Sequence, residues 1–429
     1  MHETTQRRVC RTAFVVGCVL PTLCTIAWIA FLHRSWREND WQQMLQQQLH
    51  VRATVGEIRS PRPGVTQLLD VRFADLRSER PMASIGELRI EGWKSLLVAD
   101  RIEISAAQLP ALATAIATWI SAQDMSAMQL QAESLYVDGP DGKSLELKNV
   151  RLKSITSSKT HKQIELLAEG QGGAIQLVVE HDAGQAEPTV FASLETGKVR
   201  LPAWLFADLV PGLKRSSKVQ FTGSLHVESI SQQFHGNMSG RLEEIDLVQW
   251  FDLEGPQRLH GNASMQLETL QWKNRQMSVL QGRLRAGTGK VTRRLLAKLA
   301  EQLFCKPGAA FVQAEGSDAD PWVSFDELAC DIQISSAGIT IFGACDIGGN
   351  RTSGCLLAAR GQALLLQPSF REVPLGRLVQ VFMLPGTSWL PATVEASEMA
   401  DGLPLPSVSP LKKITARRGD SLKRQPDPQ

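Results

Sequence analysis

The pattern closest to a catalytic or nucleotide-binding motif is residues 287–290, Gly-Thr-Gly-Lys. A phosphate-binding P-loop has the pattern G-x-x-x-x-G-K-[ST], in which backbone N–H groups surround the phosphates and the hydroxyl binds Mg²⁺. Here Leu284 stands at the position of the first glycine and Val291 at the position of the hydroxyl. We therefore interpret residues 287–290 as a turn before a helix and not as a nucleotide site.

No other local pattern predicts a catalytic or metal centre. Neither the H-E-x-x-H pattern of zinc proteases nor the G-x-S-x-G pattern of serine hydrolases occurs. His235 and His260 occupy equivalent positions in a short repeat and are not spaced as a metal pair. The carboxylates are scattered, which argues against an enzyme, although two catalytic carboxylates can come from distant segments. We expect a protein without enzymatic activity, cofactor or metal.

The cysteines leave two interpretations open. The chain has seven, and none is spaced as C-x-x-C, so their spacing does not predict a zinc site. Three lie early in the chain, at positions 10, 18 and 24, and four lie in its later part: Cys305, Cys330, Cys345 and Cys355. If this part of the chain is exported, a disulfide can form among the last three, which lie on neighbouring predicted strands. Otherwise all four are free buried thiols.

One apolar segment predicts a membrane anchor. Residues 13–32 (AFVVGCVLPTLCTIAWIAFL) are about as long as a helix that spans the roughly 30 Å hydrocarbon core. We predict an anchor over residues 13–33; the alternatives are a cleaved signal peptide and a lipid-modified Cys18. Three arginines precede the segment and two follow it, which favours a cytoplasmic tail over residues 1–12 and a body on the other side of the membrane.

The C-terminal end differs in composition from the rest of the chain. From residue 411 onward the chain contains six Lys and Arg residues and two Asp residues, a net charge of +4, whereas the whole chain carries +2. We expect residues 385–429 to form a disordered basic tail. The remainder is then slightly acidic, which argues against nucleic acid as a partner.

The elements between anchor and tail indicate a mainly β fold. Residues 34–50 predict an amphipathic connecting helix, and from residue 51 apolar residues alternate with polar ones, as in 164–168, 175–179 and 219–227. Alternation of this kind is typical of antiparallel strands with one dry face. We predict a β-rich body over residues 51–384 (with a sub-boundary near 211–217), built as an elongated, curved antiparallel sheet that forms a groove or a sandwich. Short helices over 109–123, 201–209, 291–304 and 373–384 are expected to cap it.

A short repeat indicates that this sheet is built from similar units. Residues 235–239 (HGNMS) recur 25 residues later as 260–264 (HGNAS). Such a period is about two strands with their turns, and repeated units that stack on one another form elongated sheets.

The order of these features resembles the AsmA family of bacterial envelope proteins, which is related to the repeating-β-groove lipid-transfer proteins. The resemblance is carried by the basic N-terminal tail, the apolar segment, the short helix after it, residues 61–64 (PRPG) before 68–76 (LLDVRFADL), and residues 325–328 (FDEL) before Gly338 and Gly343. Residues 110–215 resemble the family only in their strand pattern. The resemblance implies a single-pass inner-membrane protein with a periplasmic β body, which serves envelope homeostasis or moves phospholipid toward the outer membrane.

Two functions follow from the same apolar face. An open groove solvates acyl chains, so that membrane phospholipid is the expected partner. A closed core instead makes the body a membrane-anchored structural or assembly scaffold for other envelope proteins. The side chains expected on this face, whether groove or core, are Phe221, Leu225, Val227, Leu267, Ile332, Ile334, Ile339 and Ile341.

Overall fold

The computed structural model describes most of the chain between the two ends. The described residues are 14–32, 36–49, 51–62, 64–75, 81–91, 96–122, 127–158, 160–184, 187–213, 218–230, 233–251, 258–274, 276–311, 321–347, 349, 354–370, 372–382 and 403. The predicted cytoplasmic tail, most of the sub-boundary at 211–217 and, apart from Leu403, the predicted basic tail lie outside these residues.

Strands dominate the described residues, as the alternation predicted. They are β1 (Arg52–Thr54), β2 (Glu57–Arg62), β3 (Val65–Ala74), β4 (Pro81–Glu91), β5 (Leu96–Ser105), β6 (Gln129–Asp138), β7 (Ser144–Thr156), β8 (His161–Gly170), β9 (Gly173–Asp182), β10 (Thr189–Glu195), β11 (Leu201–Pro202), β12 (Gln220–Ile230), β13 (Gln233–Asp246), β14 (Leu259–His260), β15 (Asn262–Lys273), β16 (Gln276–Ala286), β17 (Gly289–Thr292), β18 (Cys305–Pro307), β19 (Trp322–Phe325), β20 (Glu327–Ile334), β21 (Ile339–Gly343), β22 (Cys355–Ala359) and β23 (Gln362–Pro368).

The α-helices among the described residues include α1 (Leu20–Leu32), α2 (Trp36–Leu49), α3 (Leu109–Ser121), α4 (Leu247–Phe251), α5 (Arg293–Gln302) and α6 (Leu375–Phe382). Four of them match helices expected from the sequence, within two residues at each end. The exception is the helix expected over 201–209, where the chain instead forms β11 and a 3₁₀ turn over Ala203–Phe206.

The N-terminal apolar segment differs from the prediction of one continuous anchor over 13–33. Residues Val15–Val19 form a π-helical turn, and α1 follows with 13 residues, about 20 Å at the usual rise of an α-helix. Within the part of the chain that the structure describes, no helix is long and apolar enough to cross a membrane.

Twenty of the strands form one continuous curved sheet. Both β1 and β2 pair with β3, and the sheet then runs in chain order from β3 through β10 to β12, β13, β15, β16 and β20. It ends with β21 and β22 on β20, then β23 and β18. Three short strands, β14, β17 and β19, form a separate sheet.

The expectation of a purely antiparallel sheet is wrong at one pair. Strands β5 and β6 are parallel, with Leu97 opposite Leu130. Parallel neighbours cannot be joined by a tight turn, so the chain has to cross over between them. Helix α3 provides that crossover, and two of its residues, Trp119 and Ile120, pack on Ile164 and Val179 of β8 and β9.

The sequence repeat does not correspond to a structural repeat. Residues 235–239 lie within β13, whereas His260 ends β14 in the small sheet and Asn262 begins β15 in the large one. The interpretation of these residues as a repeating unit of the sheet is therefore wrong.

Two opposed glycines allow β12 and β13 to approach closely. Gly223 and Gly240 face each other across the pair, with φ of 152° and 139°. A Cβ at either position would run into the backbone of the opposite strand. Only glycine adopts such φ values without strain, so this pair fixes the local geometry of the sheet.

Candidate functional site: an apolar row across the sheet

The eight predicted apolar residues lie on four strands of the large sheet. Five are buried in its core: Phe221, Leu225, Leu267, Ile334 and Ile339. The other three, Val227, Ile332 and Ile341, are partly buried and pack against the same core. The structure therefore brings all eight to one apolar cluster, although they are separated by up to 120 residues along the chain.

Strand register extends this cluster into a continuous row. Leu225 lies directly opposite Leu194 on one side and Met238 on the other. Directly opposed residues in a sheet point to the same face. Following the pairing outward from β12 gives one apolar residue in each of thirteen adjacent strands, here called the apolar row: Ile90, Leu97, Leu130, Leu152, Leu166, Leu177, Leu194, Leu225, Met238, Leu270, Leu280, Ile334 and Ile339.

No polar side chain interrupts this row from β4 to β21. With neighbouring strands about 4.8 Å apart, it extends over roughly 60 Å. The sequence predicted the members on β12, β20 and β21 but not the row itself, because a row across a sheet depends on register between distant segments. The alternation within each strand was the only signal available.

The row has two sections that differ in exposure. Five consecutive members on β5–β9 are only partly buried and form the half-buried section: Leu97, Leu130, Leu152, Leu166 and Leu177. Beyond them, the members on β10–β21 are buried, except for Leu280, and form the buried section; Ile90 at the other end of the row is also buried. The half-buried section is therefore the longest part of the row that retains contact with solvent.

Helix α3 lies beside the half-buried section. Trp119 and Ile120 form a buried cluster with Ile164 and Val179, and Leu152 and Leu177 of the row pack against it. The helix joins the two parallel strands and so has to cross a face of the sheet. It crosses on the face that carries the row.

Two buried polar residues, Lys162 and His181, lie at one end of this cluster. They are opposed across β8 and β9, two residues along from Ile164 and Val179 and hence on the same face. The Lys162 ammonium donates to the Ala122 carbonyl at the C-terminal end of α3. Burial and the neighbouring Lys162 charge lower the pKa of His181. Sequence reasoning missed both residues, although each occupies an inward position of an otherwise apolar alternation.

The opposite face of the sheet carries a serine–histidine pair that sequence reasoning also missed. His226 Nδ1 lies 2.9 Å from Ser193 Oγ, and Nε2 lies 3.9 Å from a Glu195 oxygen. Hydrolysis by such a group needs free N–H donors for an oxyanion. Strand β10 is paired along Thr189–Glu195 with both β9 and β12, so its backbone N–H groups form hydrogen bonds within the sheet. They therefore do not provide an oxyanion site beside Ser193. Across the described residues, moreover, no three His, Cys, Asp or Glu side chains come together to hold a metal ion.

Comparison with known proteins identifies no relative: no family model, no curated protein and no solved structure matches this chain. The resemblance to the AsmA family thus depends only on the sequence features given above and remains a hypothesis.

Proposed function

We propose that this protein binds the acyl chains of membrane phospholipid on the half-buried section of the apolar row and so handles or transfers phospholipid. The observation that carries the proposal is this section: five apolar side chains on the adjacent strands β5–β9 that keep exposed surface within an unbroken apolar row. Such a path favours long hydrocarbon chains, since each buried CH₂ contributes about 0.8 kcal/mol and no polar group has to be desolvated.

The half-buried section is the proposed point of lipid contact. It covers five strands and so measures roughly 19 Å, which exceeds the approximately 15 Å that one acyl layer occupies in a bilayer. Its side chains retain exposed surface that a hydrocarbon chain would cover. Helix α3, on the same face, then forms one wall of the binding site.

Contact with a membrane is proposed for the N-terminal apolar segment. Large apolar side chains among its described residues 14–27 are exposed to solvent, among them Phe14 at 62% exposure. Together with the arginine distribution and the resemblance to AsmA proteins, this supports association with the inner membrane and a periplasmic location for the body, in a role in envelope homeostasis.

Extraction of a fluorescent phospholipid from vesicles by the full chain tests lipid binding. Leu166→Asp places a charge on the half-buried section, whereas Leu167→Asp places the same charge on the opposite face of the same strand, where Leu167 is 39% exposed. We expect at least a tenfold loss of extraction for Leu166→Asp and near wild-type extraction for Leu167→Asp. Equal extraction by folded samples of the two variants would refute the proposal, and circular dichroism checks that each is folded.

A structural or assembly scaffold is the second candidate, and one observation favours it. The buried section is packed as a protein core: Met238 is wholly inaccessible to solvent, and so is Phe221, which lies outside the row on β12. A scaffold needs no lipid, so wild-type protein would extract none from vesicles. Leu166→Asp would then change only the free energy of unfolding.

A further inference from the structure

Two cysteines near the end of the large sheet lie side by side. Cys345 follows β21 and Cys355 begins β22, and both are fully buried. With Ala329 and Ala358 they form a small cluster apart from the main core. Nothing in the apolar row uses these thiols.

The backbone geometry suits a covalent link. The Cys345 N–H donates to the Cys355 carbonyl at 3.0 Å, so the two backbones are in direct contact. A disulfide requires Cα atoms roughly 4.4–6.8 Å apart, and a direct backbone hydrogen bond holds two residues close enough for such a link.

Both thiols lie against the first residues of β22, since Cys355 Sγ is 3.0 Å from the Leu357 carbonyl oxygen. The interaction of the two thiols raises the pKa of Cys345 and lowers that of Cys355. Cys345 Sγ lies 3.1 Å from the Leu356 carbonyl oxygen, which places it against the first residues of β22.

The remaining two buried cysteines have different neighbours. Cys305 lies opposite Pro368, and Cys330 lies opposite Gly343 and Leu284. Burial raises the pKa of both thiols to about 12.

We propose that Cys345 and Cys355 form a disulfide with each other when the protein is exposed to a small-molecule disulfide oxidant. The cross-link closes residues 345–355 into a loop and fixes the end of β21 to β22. The inference does not depend on lipid binding. The sequence allowed a disulfide between any two of Cys330, Cys345 and Cys355, and the structure favours the pair Cys345–Cys355.

The exchange balances with oxidised glutathione as the oxidant. The Cys355 thiolate attacks one glutathione sulfur, which forms a mixed disulfide and releases one glutathione thiolate. Cys345, after losing its proton to solvent, then attacks the Cys355 sulfur and releases the second. Two protein thiols are oxidised, and one oxidised glutathione is reduced to two glutathione molecules.

Peptide mapping of the full chain identifies the link. The protein is treated with oxidised glutathione, both folded and during refolding from urea, then alkylated and digested with trypsin and an Asp-directed protease. Cleavage before Asp331 and Asp346 and after Arg351 and Arg360 puts each partner on its own peptide, 331–345 and 352–360. We expect these two peptides to be joined in at least one of the two samples and separated by dithiothreitol.

Alkylated Cys345 and Cys355 in both samples, or a link to Cys305 or Cys330 instead, would overturn the proposal. Thermal unfolding gives a second readout. Dithiothreitol should lower the Tm of the oxidised protein by roughly 5 °C, as expected for a cross-link that closes a loop of about ten residues. The double variant Cys345→Ala/Cys355→Ala should show no such response.

Discussion

Replacing Leu225 by alanine tests whether the buried section is packed as a core. Leu225 is 4% exposed and lies between Leu194 and Met238 in the row. Truncating a buried leucine costs about 2–5 kcal/mol, because apolar contacts are lost and a cavity remains. If the free energy of unfolding falls by about 3 kcal/mol per M urea, a loss of about 3 kcal/mol in that free energy lowers the unfolding midpoint by roughly 1 M.

The matched variant is Leu166→Ala in the half-buried section. Because Leu166 already contacts solvent, its truncation removes less buried surface and should lower the midpoint by about half as much or less. Urea unfolding followed by circular dichroism at 218 nm, roughly the β-sheet minimum, measures both variants. A Leu225→Ala midpoint within about 0.2 M of wild type would refute the packed core. A larger loss for Leu166→Ala would reverse the assignment of the two sections.

Three further predictions concern single residues. Thr292→Ala removes the hydroxyl that accepts from the N–H at the start of α5 and should cost about 1–2 kcal/mol in urea unfolding. Gly223→Ala drives a methyl group into the Ser239 backbone and should cost roughly 2–4 kcal/mol, with a lower Tm as the readout. Because burial beside Lys162 lowers the pKa of His181, the unfolded state binds a proton more readily, so stability is fully present above the unfolded pKa near 6.5 and is lost as the pH falls below it. Urea midpoints between pH 7.5 and 5 should show this fall in wild type and a smaller fall in His181→Gln; equal falls would contradict the assignment.

The strands could be predicted because their pattern involves residues that are close in sequence. The alternation at 219–227 and 164–168 corresponds to β12 and β8, and the helical spacing at 109–123 corresponds to α3. These signals need only neighbouring residues, since side chains alternate with a period of two in strands and 3.6 in helices.

The pairing between strands was harder to predict from the sequence. The parallel pair β5–β6 depends on how α3 crosses the sheet, which no single segment specifies. The repeat at 235–239 and 260–264 was misleading for the same reason: His235 lies in β13 of the large sheet, whereas its counterpart His260 ends β14 in the small one.

The candidate site was predicted in part. Residues such as Leu225 and Ile334 were expected on the apolar face, and both belong to the row. The half-buried section was missed, since the exposure of its members depends on contacts with distant segments, such as those of Leu152 and Leu177 with the α3 cluster. Lys162 and His181 were missed because a polar residue at an inward position has no distinct local pattern.

Native mass spectrometry of the full chain, purified from membranes, tests the central claim most directly. If the apolar row binds acyl chains, the protein should retain at least one phospholipid per chain, and Leu166→Asp should lose that lipid while Leu167→Asp keeps it. A folded, lipid-free wild-type protein would contradict the proposal and favour the scaffold.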